Sequence, residues 1–372
     1  MTTLSEEIKL LRGLLSRERA YVGPFHVNVD VTRRCNLRCV GCRYHSPEVS
    51  LPSPGDQTIL DISLELLEEL CDELKTMGTR EFILIGEGES LLHPNIFEII
   101  SMAKRAGFRT NLVSNGTLLD QNRIRCLLDS KLDILRISLW ANSPEEYAQQ
   151  YPGTDPVYFE RVLEGLKALH LHKKKNQSKI PYVIFHQPLN RYNFKKIDSR
   201  IDLALDAGVN AIVFSPFYSQ RGNLCSLSLS PEEERSLCFN LIQLKKRIKP
   251  LPLHHMIDQT LLRYRIGKSV WEKLPCYIGW ISTRIKVDGS VLPCSPCNII
   301  MGNLKKTRFH EIWNNTSYRN FRRQAMFPEG LASLSPHCDC EYCCFLELNL
   351  KVHHFFKWFS PFLRHPNKEL SC

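Results

Sequence analysis

From His26 onward the chain alternates short apolar segments, rich in Val, Ile and Phe, with longer segments whose apolar residues recur at helical spacing. Strands are expected at 26–31, 81–86, 109–113, 133–139, 180–187 and 209–215. Between the first two lie Leu66, Leu67, Leu70, Cys71, Leu74 and Met77, and between the next two Ile96, Ile99, Ile100 and Ala103. Val162, Leu163, Leu166 and Leu169 repeat the helical pattern before the fifth strand. Alternating β and α segments predict a parallel sheet with right-handed crossovers. The expected fold is α/β, a partial (β/α)6 TIM-type barrel over 21–250, with an open doubly wound sheet as the alternative.

After a helix expected at 231–249 the alternation stops. From Cys276 the text changes to cysteines, an Asp288-Gly289 turn and short helices, which predicts a small cysteine-rich domain at 276–345. An N-terminal helix (1–20), a linker or helix (251–275) and an aromatic tail (346–372) complete the division. In the tail Phe355, Trp358, Phe359 and Phe362 share a helical spacing but Pro361 interrupts it, so packing against the barrel is expected over lying on a membrane.

Fifteen cysteines among 372 residues are many, and they cluster: three in 35–42 and four in 338–344. No apolar run approaches the roughly 18 residues of a membrane span, and the charged N-terminus does not read as an export signal. An odd count without such a signal points to metal or iron–sulfur ligation in a reducing, cytoplasmic compartment. Isolated Cys71, Cys126 and Cys238 read as core residues. The charge excess of 49 − 39 = +10 is concentrated in 161–200, where ten Lys/Arg face only Glu164 and Asp198. Lys173, Lys174 and Lys175 fall where a helix ends in solvent, and no aromatic-interleaved motif accompanies them, so nucleic acid is not an expected partner.

The sharpest signal is Cys35-Asn-Leu-Arg-Cys39-Val-Gly-Cys42, directly after the first strand, where a parallel barrel carries its active-site loops. Three thiolates on one short loop hold three irons of a cubane cluster and leave the fourth open. A Cys3His zinc site with His45 is the other reading. The Cys-x3-Cys-x2-Cys pattern resembles the radical S-adenosylmethionine (radical SAM) superfamily. The resemblance implies a 4Fe-4S cluster on Cys35, Cys39 and Cys42 whose open iron binds S-adenosylmethionine (SAM). Reductive cleavage of the sulfonium then yields a 5′-deoxyadenosyl radical that takes a hydrogen atom from substrate.

Three later segments fit the same resemblance. Gly86-Glu87-Gly88-Glu89-Ser90, ending the second strand, is similar to the family's Gly-Gly-Glu-Pro loop that receives the methionine amino group; its glycines would let the ligand approach the backbone. Ser114-Asn115-Gly116-Thr117 is similar to the family's Thr-Asn-Gly turn near the cofactor, and Ser138 ends the fourth strand with a hydroxyl for the ribose or methionine carboxylate. Each also has a plain reading as a turn or a satisfied strand serine. Two positions depart from the family: Gly41 stands where an aromatic residue usually precedes the third cysteine, with Tyr44 as the substitute, and Ser90 stands where proline is usual.

In the second region Cys276, Gly289-Ser-Val-Leu-Pro-Cys294, Met301-Gly-Asn-Leu304, Glu311-Ile-Trp313 and Cys338-Asp-Cys340-Glu-Tyr-Cys343-Cys344 resemble the SPASM or twitch extension of radical SAM enzymes, which carries further 4Fe-4S clusters. One auxiliary cluster is expected, on Cys276, Cys294, Cys340 and Cys343, with Cys297 and Cys338 able to replace or supplement them and Cys344 and Cys372 spare. A zinc ribbon on the Cys294-x2-Cys297 and Cys340-x2-Cys343 pairs is the alternative, though the roughly 42 residues between the pairs are more than usual.

By resemblance the substrate is a peptide or a small molecule, and a flavodoxin- or ferredoxin-like donor supplies electrons. The 25 residues before the first strand are too few for the leader-peptide-binding domain of many peptide modifiers. The loop after the sixth strand should border the substrate, making Tyr218, Arg221 and Cys225 candidates for proton or hydrogen transfer. His254, His255, His353 and His354 read as surface or core residues. Two classes of function stay open: a radical SAM enzyme of oxidoreductase type, or a non-catalytic zinc or iron–sulfur module or electron carrier.

Overall fold

The computed structural model describes residues 4–47, 55–217, 222–267, 270–338, 340 and 342–358. Six parallel strands follow the expected alternation: β1 (His26–Asp30), β2 (Glu81–Ile85), β3 (Arg109–Ser114), β4 (Ile134–Ile137), β5 (Tyr182–Leu189) and β6 (Ala211–Pro216). Helices connect them. The first, Leu64–Met77, starts where the Ser63 side chain accepts from the Leu66 amide and stops at left-handed Gly78. Its Leu67, Leu70, Cys71 and Leu74 are buried against the sheet, each large aliphatic side chain contributing about 1.5–3 kcal/mol.

The barrel reading and the open-sheet reading differ in whether helices cover one face or both. On β4–β6, Leu135, Ile137, Val183, Phe185, Ile212 and Phe214 join the main core with the helices. The alternate residues Ile134, Ile184 and Ala211 form a separate small cluster on the other face. That face is the lumen of a partial barrel.

Four short strands extend the sheet at its edges, two of them parallel to their barrel neighbours. β7 (His254–His255) pairs with β6, and β8 (Ser282–Ile285) pairs in parallel with β1. β9 (Ser290–Leu292) and β10 (Gly302–Asn303) continue antiparallel, so the order is β10-β9-β8-β1-β2-β3-β4-β5-β6-β7. The expected turn at Asp288-Gly289 joins β8 to β9, with Gly289 at φ 85°. Because β8 lies beside β1, residues of the cysteine-rich region touch the first barrel strand directly.

The N-terminal helix Leu4–Ser16 and the segment after it dock on this region: the Trp280 indole donates to the Arg19 carbonyl and that of Trp313 to the Val22 carbonyl. The tail differs from expectation. Helix Leu346–Lys357 buries Leu346, Asn349, Val352 and Phe356, with Phe356 edge-on to Tyr277, and so packs on the cysteine-rich region. The aromatic spacing selected another face: Phe355 is only partly buried and Trp358 is 80% exposed. Phe359, Phe362 and Cys372 lie outside the described residues. Among the described residues no helix is long and apolar enough to cross a membrane.

Candidate active site

The three cysteines of 35–42 lie just beyond β1, and the loops after β2 and β3 hold that segment on both sides. From β2, the Gly88 amide donates to the Thr32 carbonyl (3.0 Å) and the Glu89 amide to the Arg34 carbonyl (2.7 Å). From β3, Asn115 Nδ2 donates to Asn36 Oδ1 (2.9 Å), and Asn36 Nδ2 donates to Thr117 Oγ1 (2.8 Å). Glu89 joins the two loops, accepting from Ser114 Oγ (2.7 Å) and the Asn115 amide (2.6 Å). Both carboxylates of the Gly86–Glu89 stretch are thus engaged within the protein, for Glu87 accepts from Arg33 Nε (2.6 Å) and contacts Lys286.

Gly88 serves the protein itself in addition to any ligand. A Cβ there would stand 2.1 Å from the Arg34 carbonyl oxygen, so the missing side chain is what allows the loop to lie against the segment leading into Cys35.

The thiols suit an iron–sulfur group. Burial, with the charge of Glu89 and Cys42, pushes Cys35 up to about 11; burial and the other two thiols push Cys39 well above the ordinary thiol range. Three thiolates so placed need a cationic group between them, and metal binding supplies the compensation. Cys42 Sγ accepts from the Tyr44 (3.4 Å) and His45 (3.3 Å) amides, the kind of outer contact that orients a ligating thiolate.

Tyr44 is engaged within the protein: its hydroxyl accepts from Arg284 Nη2 (3.0 Å), and its ring lies 5.2 Å from Lys286 Nζ. Arg284, from β8, also donates through Nε and Nη2 to both oxygens of Asp30 at the end of β1 (2.9 Å each). This buried ion pair, with Lys286 beside Asp30 and Glu87, ties the cysteine-rich region to the loops around the first cysteine set.

Two residues that sequence reasoning passed over fill the space beside Gly41. A Cβ at Gly41 would stand 2.5 Å from the Phe217 ring and 2.7 Å from the Trp140 ring. These two rings meet edge to face at 6.1 Å. Their signal was available: each is an aromatic residue within three residues of a strand end, Trp140 after β4 and Phe217 after β6. Ser138 donates its amide to the Ser114 carbonyl (2.9 Å), joining the β3 and β4 ends. Cys225 is exposed on a short helical turn, while Tyr218 and Arg221 lie outside the described residues.

Far along the chain, six cysteines line one cavity of about 520 Å³: Cys276, Cys294, Cys297, Cys338, Cys340 and Cys343. The expected four are all there, and so are the two alternatives. Burial raises the thiols of Cys276 and Cys294. Cys297 and Cys338 face each other across an isolated antiparallel bridge, with sulfurs 2.7 Å apart. The Cys343 side chain and the guanidiniums of Arg263 and Arg136 draw neighbouring Cys344 down to about 7. Among the described residues no three such groups converge as ligands of a single metal ion.

Comparison with known proteins fits this geometry. The model of the radical SAM superfamily matches residues 29–191, and that of the SPASM iron–sulfur cluster-binding domain matches residues 276–350. The chain belongs to the radical SAM superfamily. It is an enzyme of that class, with a 4Fe-4S cluster, SAM and an iron–sulfur-binding SPASM domain as its cofactor equipment. A curated relative, the AdoMet-dependent heme synthase of Methanosarcina barkeri, is 26% identical over 85% of this chain and 88% of its own length. Among solved structures, Streptococcus suis SuiB bound to SAM superposes with TM-score 0.64 at 13% identity, over 92% of this chain and 77% of SuiB. Native anSMEcpe with bound AdoMet gives 0.61 at 17% identity, over 91% and 98%. These two likenesses are of fold.

Proposed function

We propose that Cys35, Cys39 and Cys42 hold the SAM-binding cluster of this radical SAM enzyme. The observation that carries the assignment is the two-sided clamp on their loop, by Gly88 and Glu89 from β2 and by Asn115 and Thr117 from β3. When bound, the cluster and SAM supply one-electron cleavage of the sulfonium and a carbon radical that removes hydrogen from substrate. The protein's own part is placement. The carbonyls of 86–89 accept the methionine ammonium, Asn115 and Ser138 border the ribose and carboxylate, and Trp140 with Phe217 takes the adenine-facing place left by Gly41.

Cys276, Cys294, Cys340 and Cys343 are the proposed ligands of an auxiliary cluster, with Cys297 and Cys338 in the same cavity. With four cysteine ligands and no open iron, such a cluster would have the character of an electron carrier or a structural anchor. Electrons for the first cluster come from a flavodoxin- or ferredoxin-like donor. The substrate is a peptide or a small molecule; in support, SuiB is known bound to the precursor peptide SuiA, and the M. barkeri relative is a heme synthase.

Anaerobically reconstituted protein given SAM and dithionite should form 5′-deoxyadenosine. Replacing Cys35, Cys39 and Cys42 by Ala should abolish it. Continued formation in the triple variant would remove the assignment.

A further inference from the structure

The ladder of β4 ends at Ile137, yet the alternation of the strand continues past it. Leu139 and Ala141 are fully buried in line with Ile137, while Ser138 and Trp140 are half-buried and fall on the other face. β3 pairs with β4 as far as Ser114 and Ile137, and the Ser114 carbonyl still accepts from the Ser138 amide (2.9 Å). The chain of β3 then turns away at Gly116, whose φ is 80°. In a parallel ladder a residue of the neighbouring strand donates to one carbonyl and accepts from the amide two residues further on. Once β3 has left, the Ser138 carbonyl and the Trp140 amide are the next such pair.

Tyr151 takes both. Its hydroxyl accepts from the Trp140 amide (2.8 Å) and donates to the Ser138 carbonyl (3.2 Å), the two bonds that a further residue of β3 would have made. The phenol is buried, and its ring packs on that of Tyr147 with centroids 4.4 Å apart. The Trp140 carbonyl accepts in turn from Asn193 Nδ2 (2.9 Å) and Arg200 Nη1 (3.3 Å), and Glu146, the ion partner of Arg200, accepts from the Asn142 amide (2.7 Å). Segments at a barrel mouth ordinarily leave such backbone groups to water. Here buried side chains hold them.

The residue before Tyr151 reaches the cysteine loop. The helix Pro144–Gln150 ends at Gln150, whose carbonyl accepts from the Val40 amide (2.9 Å), between Cys39 and Cys42. The Gln150 side chain is fixed by two reciprocal amide bonds with Asn190 (3.1 and 2.9 Å). Two consecutive residues therefore hold the cysteine loop and the far end of β4 at a set spacing. Ser138 is anchored through its own amide by Ser114, so Trp140 is the residue whose place depends on the phenol.

We propose that Tyr151 is a positioning residue for SAM: its hydroxyl carries β4 on to Trp140 and so fixes that ring, beside Gly41 of the cysteine loop, for the adenine. The proposal rests on the assignment of Trp140 to the adenine made above, and adds the residue that sets it there. The competing role for the hydroxyl is to satisfy two backbone groups and nothing more, which stability alone would register.

The test is Tyr151→Phe, which removes the hydroxyl and keeps the ring against Tyr147. The bonds from Asn193 and Arg200 remain, so the variant should fold, with a melting point below that of the parent because two backbone groups lose a buried partner. In anaerobically reconstituted protein, calorimetry should show SAM bound about threefold or more weakly. In a Trp140→Ala background the same change should alter SAM affinity by less than about 1.5-fold, because the ring it positions is gone, while the melting point still falls.

A lowered melting point with unchanged SAM affinity would leave the hydroxyl its structural role and overturn the proposal. So would an equal loss of affinity in both backgrounds, which would separate Tyr151 from Trp140. Should Tyr151→Phe not fold, Asn193→Ala, which frees the carbonyl of the same tryptophan, must show the same dependence on background, and an equal loss in both would again overturn the proposal. Failure of the underlying assignment shows separately, as Trp140→Ala alone binding SAM as tightly as the parent.

Discussion

The two cysteine sets of this chain are built in opposite ways. The first spans eight consecutive residues, and the fold's work is to clamp that one segment between the loops after β2 and β3. The second draws six cysteines from positions 276 to 343 around one cavity. A short loop at strand ends leaves a coordination place for a ligand, as chemistry at a metal requires; a cavity walled by cysteines suits a group that exchanges electrons or braces the structure. The Arg284–Asp30 pair joins the two, since one partner lies on β8 and the other on β1.

The comparison breaks first if the sets are interchangeable. Replacing Cys35, Cys39 and Cys42 by Ala should remove about four irons per chain and all 5′-deoxyadenosine formation, as measured by iron assay and chromatography. Retained cleavage would mean the second set can do the first set's work.

The joint between the sets should show the next largest effect. Arg284→Met removes the two-pronged partner of buried Asp30 and leaves it only Lys286 at 3.6 Å, so it should cost about 3 kcal/mol in denaturant unfolding, the low end for a broken buried pair. A loss below 1 kcal/mol, the range of exposed pairs, would mean that the two regions are held together elsewhere.

Gly88→Val sharpens the clamp, because the new side chain meets the Arg34 carbonyl and not only a ligand. A cost of about 1–3 kcal/mol is expected without SAM present, which a melting curve of the SAM-free protein reads. Trp140→Ala should weaken SAM about fivefold or more by loss of aromatic stacking, measured by calorimetry. The smallest effect is expected for Tyr44→Phe: about 1 kcal/mol of stability from the lost Arg284 hydrogen bond, with SAM affinity nearly unchanged.

What the sequence disclosed follows the same division. Strand and helix positions came from local periodicity, and the core six strands lie within a few residues of expectation; β4, for example, is shorter at Ile134–Ile137. The first cysteine set is local and was read from spacing. Pairings between distant segments leave no local mark: nothing in the residues of β8 announces that they run parallel to β1. For the same reason four ligands could be named in the second set while Cys297 and Cys338, equally close to the cavity, stayed alternatives. Glu87 and Glu89 illustrate a further limit. A carboxylate suited to an ammonium in composition turned out to be held by Arg33 in one case and by Ser114 and the Asn115 amide in the other. The tail misled because its aromatic residues outnumber the smaller Leu346, Asn349 and Val352 that face the protein.

The division of labour is tested most directly by electron paramagnetic resonance of the reconstituted, dithionite-reduced protein with and without SAM. Two sets of 4Fe-4S signals are expected in the parent, of which SAM shifts one. In the variant lacking Cys35, Cys39 and Cys42 the SAM-shifted signal should vanish and the other persist. In the variant lacking Cys340 and Cys343 the SAM-shifted signal should be the one that remains. A SAM-dependent shift surviving in the first variant would contradict the account.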